Sequence, residues 1–300
     1  MAYFVGLDSG GTKTECWLGD ETQVLAQSVT GTVKLTRVTR DVATERLQGL
    51  LREVAAQAGV SLREVTRTCV GVAGFSILEV REWAFRVVGK MVAGEIIVCG
   101  DDEIALDAAF RGGPGILVIG GTGAVVVGRT RNGAKMTAGG WGPAIGDEGS
   151  GWWIGREAVR EAFRALDRGE PTGLLDAIRA AWGAKDLGEM VGFANQRPGP
   201  DFAALAPVVA YRAERGDEVA TKVLMVAGRE LAEQVGVVWK KMQKAGDSAA
   251  WVAYTGSVLE KIAPVREAMK RRIAGNYAGL RVMEGAVKTM EGAMWRARSG

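Results

Sequence analysis

The 300-residue sequence contains no histidine. Catalysis by a Ser-His-Asp or Cys-His arrangement is therefore excluded, and the commonest zinc ligand is missing. Any acid–base chemistry near neutral pH must depend mainly on carboxylates. The chain has 35 aspartate and glutamate residues that could supply them.

Cysteine is also scarce. The three cysteines, Cys16, Cys69 and Cys99, are odd in number and show no paired spacing, which argues against a disulfide framework. Each lies in or beside an apolar run that is typical of a β-strand. We therefore expect all three to be small, buried core residues rather than reactive thiols.

The sequence has no apolar run of membrane-spanning length, and residues 1–3 lead straight into a predicted strand. These features favour a soluble, cytoplasmic protein with no membrane partner. The formal net charge is only +3, and the one basic cluster is Lys270-Arg271-Arg272. We interpret that cluster as a solvated helix face, so no nucleic-acid partner is expected. The 47% apolar content is enough for a large core and predicts two domains.

Glycine, by contrast, is abundant, and two glycine-rich turns recur in the two halves of the chain. Asp8-Ser9-Gly10-Gly11-Thr12-Lys13-Thr14 follows one apolar run, and Gly120-Gly121-Thr122-Gly123 follows another. A second strand-like run comes after each turn. Glycine lets backbone N–H groups approach an anion closely, so we expect the two turns to hold a polyphosphate from both sides. Neither turn has the Walker A spacing, and the first continues as a strand, unlike a dinucleotide fingerprint.

The remaining pattern alternates strands and helices, which predicts an α/β fold. In the first half we expect a three-strand meander over 3–33, helices at 40–58, 77–91 and 103–110, and strands at 67–74 and 95–99. A glycine-rich linker at 111–115 marks the domain boundary. In the second half we expect strands at 116–119, 124–127 and 251–254, a glycine loop at 138–150, a helix from 151 to about 166, and a mostly helical stretch over 167–247. That stretch includes two long helices between 202 and 244, broken at Gly216-Asp217.

Several carboxylates lie where a strand ends. Asp8, beside the first turn, could hold Mg²⁺ through water, and Lys13 could bond a phosphate oxygen. Asp102 lies between a strand and a helix, where a helix N-terminus favours an ionised carboxylate that could accept a hydroxyl proton. It could equally be a helix N-cap, and Asp101 competes for either role.

The glycine loop at 138–150 carries Trp141, Asp147 and Glu148. A tryptophan face beside carboxylates suits a sugar, because the ring covers C–H groups and the carboxylates bond hydroxyls. The alternative is that the tryptophan anchors the loop and the acidic pair caps the next helix. The density of glycine favours the sugar-binding interpretation.

Together these motifs resemble the BadF/BadG/BcrA/BcrD ATPase family of the actin-like, sugar kinase and Hsp70 ATPase superfamily. The resemblance covers nearly the whole chain and is strongest for the family's N-acetylglucosamine kinases. It is carried by Asp8–Thr14, Gly120–Gly123, Gly139-Gly-Trp-Gly-Pro-Ala-Ile-Gly-Asp-Glu-Gly-Ser150 and Thr255-Gly-Ser257. The third of these strings is the most specific.

The resemblance implies two ribonuclease-H-like domains with a nucleotide cleft between them. The N-terminal domain would span 1–112, joined by the last helix at about 288–300, and the C-terminal domain would span 113–287 with a helical insertion. A homodimer is also implied.

The resemblance further implies ATP and Mg²⁺ as cofactors, with the metal beside Asp8. The expected ATP-binding residues are Gly10, Gly11, Thr12, Lys13, Thr122, Gly123, Gly256 and Ser257. The expected substrate-binding residues are Asp102, Thr122, Trp141, Gly146 and Asp147. The family's spacing between its base and the second phosphate loop selects Asp102 over Asp101 as the catalytic base.

The implied activity is phosphorylation of an amino sugar, N-acetylglucosamine at its 6-hydroxyl. The family's sugar-contacting asparagine is absent from residues 31–36, so glucosamine, N-acetylmuramic acid and glucose stay open as substrates. An ATPase that activates an iron–sulfur dehydratase is a second alternative, and it would need cysteines at a dimer interface. A sugar-sensing regulator or chaperone-like module is a third, disfavoured because no DNA-binding segment precedes Tyr3 and no peptide-binding domain follows the core.

Overall fold

A computed structural model describes residues 1–247 and 250–299 of the chain. The described residues form two compact units, each built on a five-stranded mixed sheet. The first unit comprises Met1–Gly113 and the C-terminal segment that begins at Val287, and the second comprises Pro114–Ala286. The predicted α/β class is confirmed. Position 300, where the predicted last helix ended, lies outside the described residues.

The sheet of the first unit has the strand order β3-β2-β1-β4-β5. Its strands are β1 (Tyr3–Ser9), β2 (Lys13–Gly19), β3 (Val24–Gly31), β4 (Val65–Val72) and β5 (Glu95–Gly100). The predicted meander is confirmed, since β2 pairs antiparallel with both β1 and β3. Strands β1, β4 and β5 run parallel, so their carboxyl ends meet at one edge of the sheet.

Helices cover both faces of this sheet. They are α1 (Arg40–Ala58), α2 (Leu78–Gly89), α3 (Asp101–Phe110) and α11 (Thr289–Ser299), with a single 3₁₀ turn at Leu62–Glu64. Helices α1 and α2 cover one face of the sheet. They pack on it through buried residues such as Leu47, Leu51 and Trp83. The other face, which carries Cys69 and Cys99, is covered by α3 and α11. The bounds predicted for α1 are confirmed, because Thr39 caps its start and Gly59 ends it at φ +65°.

A partly buried ion network fastens α11 to α3. Arg296 donates from Nε to Asp107 Oδ2 at 2.6 Å and from a terminal nitrogen to Glu103 Oε2 at 3.0 Å. A side chain at Gly292 would overlap the carbonyl oxygen of Ile104, so glycine is required where the two helices touch. The last helix of the chain is thus an integral layer of the first unit.

The sheet of the second unit has the order β10-β9-β6-β7-β8. Its strands are β6 (Gly115–Gly120), β7 (Ala124–Arg129), β8 (Lys135–Gly139), β9 (Trp251–Thr255) and β10 (Arg281–Val282). Because β9 runs parallel to β6, Gly120 and Thr255 lie at the same edge. The glycine turns that follow β6 and β9 therefore come together.

The helices of the second unit are α4 (Gly151–Arg168), α5 (Leu174–Trp182), α6 (Leu187–Asn195), α7 (Ala206–Glu214), α8 (Glu218–Lys244), α9 (Ser257–Lys261) and α10 (Ala263–Asn276). The expected break at Gly216-Asp217 is confirmed, and the Asp217 side chain caps α8. The prediction of a long helix before that break is wrong. Residues 202–205 form a 3₁₀ turn, and Pro207 fixes the start of the nine-residue α7.

All three cysteines are buried, as expected. Within the described residues, no helix combines the length and the apolar character that a membrane span requires.

Candidate active site

The first glycine turn joins β1 to β2. Gly10 donates its N–H to the carbonyl of Lys13 at 3.1 Å, and Thr32 donates to the carbonyl of Thr12 at 3.2 Å. A β-carbon placed on Gly11 would meet nothing within 4 Å, so that side of the turn is open. The ammonium of Lys13 lies 2.8 Å from Glu15 Oε2. Hydrogen bonds at Gly10 and Thr12 therefore fix the backbone of the turn, and the side of the turn at Gly11 stays accessible.

Asp101 and Asp102 occupy the first turn of α3, at the carboxyl end of β5. The helix begins two residues earlier than predicted, because Gly100 is its N-cap residue. No side chain caps this helix end. The interpretation of Asp102 as an N-cap is therefore wrong. Its backbone N–H donates to Asp101 Oδ1 at 3.1 Å, and a side chain at Gly100 would overlap Asp102 Oδ1. Asp102 stands in the helical turn whose exposed N–H groups favour a negative charge.

The pKa values of the Asp8 and Asp101 carboxyl groups are both raised above the ordinary value for aspartate. Burial raises the pKa of Asp8, and a hydrogen bond from the Thr289 hydroxyl opposes that rise. Burial also raises the pKa of Asp101 to about 6, with further contributions from the charges of Asp8 and Asp102. Asp101 is therefore within electrostatic range of both Asp8 and Asp102, at the sheet edge where β1 and β5 end.

This acidic cluster fits a hydrated Mg²⁺. A cation would relieve the repulsion that raises the pKa of Asp101. Across the described residues, no group of three or more acidic or cysteine side chains is arranged to enclose a metal. Mg²⁺ in phosphate sites is commonly bound by one or two carboxylates together with phosphate oxygens and water, so a partial set of protein ligands suffices.

The second glycine turn lies on the N-terminus of α4. The carbonyls of Gly121 and Thr122 accept hydrogen bonds from the N–H groups of Gly151 at 2.8 Å and Trp152 at 3.2 Å. Because those two carbonyls face α4, an anion approaching the other side of the turn would not meet them. A β-carbon on Gly121 would find nothing within 4 Å, so this turn also has an open side.

The glycine loop brings Asp147 against the second turn. Asp147 is 5% exposed and has φ +67°, an uncommon conformation for a residue with a side chain. Its Oδ2 lies 3.0 Å from the position that a β-carbon on Gly123 would take. The structure thus joins a residue predicted to contact sugar with one predicted to contact phosphate. Gly146, just before it, closes a turn by donating to the Gly142 carbonyl at 2.9 Å.

Trp141 is 71% exposed and Ile145 is 76% exposed, so the loop presents apolar surface to solvent. The alternative that Trp141 anchors the loop in the core is wrong. The alternative that the acidic pair caps the next helix is wrong as well, because Ser150 caps α4 through the N–H of Trp153 at 3.1 Å. An open indole face is available to stack on a ring.

The third turn, Thr255-Gly256-Ser257, packs on the end of β6. Gly256 has φ +99°, and a side chain there would overlap the carbonyl of Gly120. Glu260 holds the turn by accepting from the Gly256 N–H at 2.9 Å. Ser257 is exposed as the first residue of α9. Gly256 therefore lies beside the second phosphate turn.

Sequence reasoning missed two residues that support this site. Thr289, which bonds Asp8, has no local signal, since it lies 281 positions away along the chain. Glu260, which bonds the Gly256 N–H, could have been found because it follows that glycine by one helical turn.

One surface cavity of the first unit lies apart from these residues. An open cavity of about 480 Å³ in the first unit is lined by Phe75, Arg81, Glu82, Phe85, Arg86 and Val98. No predicted site residue is among those lining residues. The candidate site is defined instead by the loops at the sheet edges.

Two α/β units on five-stranded sheets, each with a glycine turn at a strand end, define an actin-like ATPase fold. A crystal structure of a Chromobacterium violaceum protein, with a provisional assignment as an N-acetylglucosamine kinase, superposes with a TM-score of 0.76. The two proteins are 26% identical, and the match covers 98% of each chain. The sequence profile of the BadF/BadG/BcrA/BcrD ATPase family matches residues 5–294. The chain belongs to this family, which confirms the resemblance found in the sequence.

Two further relatives match over nearly the whole chain. The N-acetylmuramic acid/N-acetylglucosamine kinase of Clostridium acetobutylicum is 32% identical, covering 100% of this chain and 99% of its own length. The N-acetyl-D-glucosamine kinase of Dictyostelium discoideum is 26% identical, covering 93% and 92%. The prediction of an ATP-dependent carbohydrate kinase agrees with both names.

Proposed function

We propose that this chain is an ATP-dependent carbohydrate kinase that phosphorylates an amino sugar, N-acetylglucosamine at its 6-hydroxyl. The observation that carries the proposal is the position of Asp102, in the first turn of α3 and within electrostatic range of Asp101. Membership of the family and the names of the two relatives support the reaction class.

In this proposal Asp102 accepts the proton of the sugar hydroxyl. The exposed N–H groups at the N-terminus of α3 favour negative charge at this position, which suits a residue that accepts a proton. Asp8, with Asp101 beside it, would hold Mg²⁺. When bound, ATP with Mg²⁺ supplies the phosphoryl group and neutralises its charge.

The glycine turns would bind the nucleotide. Gly10, Gly11, Thr12 and Lys13 would hold phosphate in the first unit, and Thr122 and Gly123 would do so in the second. Gly256 and Ser257 would lie against the adenosine. Since phosphoryl transfer depends mainly on positioning and charge stabilisation, the rigid support of these turns is what the chain contributes.

Trp141, Gly146 and Asp147 would bind the sugar. The exposed indole of Trp141 offers a flat apolar surface for ring C–H groups. Asp147, held next to Gly123, would accept a hydrogen bond from a sugar hydroxyl. In this proposal, sugar recognition would lie beside the second phosphate turn, within the second unit.

An ADP-release assay over a sugar panel tests the reaction class. With N-acetylglucosamine, glucosamine, N-acetylmuramic acid and glucose as acceptors, we expect sugar-dependent ADP formation that is greatest with an N-acetylated sugar. Phosphorus NMR of the product should place the phosphate on the 6-hydroxyl of N-acetylglucosamine. Release of ADP without any phosphorylated sugar would leave only the non-kinase alternatives.

Two matched variants test the base. Asp102→Asn should lower kcat by about a thousandfold or more while sugar and ATP still bind, as expected when a general base is removed. Asp101→Asn, in the same helical turn, should lower kcat far less. The reverse ranking would transfer the role to Asp101, and near-normal turnover in both variants would remove the base from this helix.

The iron–sulfur activator alternative gains no support from the cysteines. Cys16, Cys69 and Cys99 are all buried, and burial raises the pKa of the Cys16 thiol, whereas cluster ligation needs thiolate. The homodimer stays a proposal, for which sedimentation equilibrium of the purified protein is the test.

A further inference from the structure

Helix α8 packs against both ends of the glycine loop at 138–150. Near the end of the loop, Gly149 has φ +83°, and a β-carbon there would lie 2.5 Å from Leu231. At the start of the loop, Gly139 has φ +74°, and a β-carbon there would lie 2.5 Å from Gln234 Oε1. A side chain at either position would therefore displace part of α8.

The amide of Gln234 contacts the loop at two places. Its Nε2 donates to the carbonyl of Glu148 at 3.2 Å, while its Oε1 lies against Gly139, the last residue of β8. One planar group thus connects the residue at which the chain leaves the sheet with the residue that follows Asp147. Gln234 closes the base of the loop.

The Oε1 atom of Gln234 is buried and, among the residues that the structure describes, has no hydrogen-bond partner. A buried acceptor that is left unpaired lowers the stability of the folded protein. Exceptions of this kind are expected at sites that serve function. The position of the Gln234 amide is therefore explained by its effect on the loop rather than by a gain in stability.

Charge on α8 opposes the attachment of the loop. Glu230 precedes Gln234 by one helical turn, and its pKa is raised by burial and next by the charges of Glu148 and Glu233. Repulsion between the carboxylates of Glu230 and Glu148 pushes the end of the loop away from the helix. The hydrogen bond from Gln234 to the Glu148 carbonyl acts against that repulsion.

We propose that Gln234 is a positioning residue for sugar binding, whose amide holds the two ends of the glycine loop and so fixes Trp141 and Asp147. The inference rests on the proposed kinase function and adds to it a residue that acts through the loop. Because Asp147 precedes Glu148, freeing the Glu148 carbonyl would release the Asp147 carboxylate from its place beside Gly123. The carbonyls of the second glycine turn are held separately by α4, so that turn would keep its conformation.

Gln234→Met tests this role, because methionine keeps the length of the side chain and removes both polar atoms. We expect the KM for N-acetylglucosamine to rise about tenfold, as for the loss of one hydrogen bond to a partly buried group. The kcat and the KM for ATP should change by less than about threefold. Gln243→Met, at an exposed position of the same helix, is the matched control and should leave all three constants unchanged.

Hydrogen exchange supplies a second readout that needs neither sugar nor ATP. In Gln234→Met we expect amide exchange to become about tenfold faster over residues 140–149 and to stay unchanged in α5. If the wild-type protein phosphorylates no sugar, the proposed function fails, and this comparison still decides whether Gln234 positions the loop.

Two outcomes would overturn the inference. Unchanged exchange over residues 140–149 in Gln234→Met would show that the loop holds its position without the amide. Faster exchange throughout the second unit, together with equal losses of affinity for sugar and ATP, would give Gln234 a role in general stability alone.

Discussion

The hydroxyl of Thr289, the first residue of α11, donates a hydrogen bond to Oδ2 of Asp8 at the end of β1. This bond lowers the pKa of Asp8 and so opposes the effect of burial. The last helix of the chain therefore helps to keep ionised the carboxylate that we assign to Mg²⁺.

Replacement of that hydroxyl should be visible in the pH dependence. In Thr289→Val the pKa of Asp8 should rise further, because the ionised form loses a donor. The acidic limb of the profile of kcat/KM for ATP should therefore move to higher pH. Thr289→Ser keeps the hydroxyl and should restore the wild-type profile. Superimposable profiles for the Val variant and the wild type would contradict the role given to Asp8.

Ionised Asp101 should cost stability. Its pKa is about 6 in the folded protein and near 3.8 in the unfolded chain, so the folded state binds more protons between these values. The free energy of unfolding therefore falls as pH rises through this window, and the loss is complete above it. Asp101→Asn should raise the free energy of unfolding by about 1 to 3 kcal/mol at pH 8 and have little effect near pH 4.

Urea unfolding at several pH values checks this prediction. Asp41→Asn is the matched control, since Asp41 is an exposed residue in the first turn of α1. Its carboxylate favours the helix N-terminus, so the control variant should not be stabilised at any pH. A gain in Asp101→Asn that is independent of pH would contradict the electrostatic explanation.

Gly256 should tolerate no side chain. Gly256→Ala should lower the free energy of unfolding by about 3 kcal/mol, because the new methyl group meets the Gly120 carbonyl at positive φ. Gly49→Ala is the control: this glycine lies inside α1, and a methyl group there would have nothing within 4 Å. That change should stabilise the protein by about 0.5 to 1 kcal/mol. Thermal unfolding of both variants gives the comparison, and equal effects would argue against the close contact.

The ion pairs of Arg296 in α11 should contribute far more to the free energy of unfolding than an exposed ion pair does. Arg296→Met removes the hydrogen bonds that Arg296 donates to the carboxylates of Asp107 and Glu103 in α3. The Asp107 carboxylate is fully buried. We expect a loss of about 3 kcal/mol in the free energy of unfolding. Arg179→Met, which removes an exposed pair with Asp176 at 3.3 Å, should cost less than about 1 kcal/mol. Adding Asp107→Asn to the Arg296 variant should recover part of the loss, since the buried negative charge of Asp107 is then removed as well.

Local signals predicted the elements that a short stretch of sequence determines. The bounds of α1 follow from its apolar spacing, the cap at Thr39 and the stop at Gly59, all of which lie within the helix or next to it. The start of α3 was misjudged because Asp101 and Asp102 are typical capping residues, whereas the chain uses Gly100. A cap is chosen by backbone geometry that composition does not encode.

The parts of the site that sequence missed depend on distant contacts. The pairing of Thr289 with Asp8 requires the last helix to fold onto the first strand. The fit of Gly123 against Asp147 requires a loop to close onto a turn. The motifs predicted which loops matter, but the pairing of residues between loops depends on the packing of whole elements.

The ribosome makes the final layer of the first unit last. Because α11 covers one face of the first sheet, a nascent chain that has left the exit tunnel as far as position 250 would expose Phe4, Cys69 and Cys99 to solvent. Once position 286 has emerged as well, every strand and helix described for the second unit is available. During synthesis, the second unit can therefore fold before the first unit is complete. A nascent chain halted before α11 would expose an apolar face of the first sheet, to which chaperones could bind.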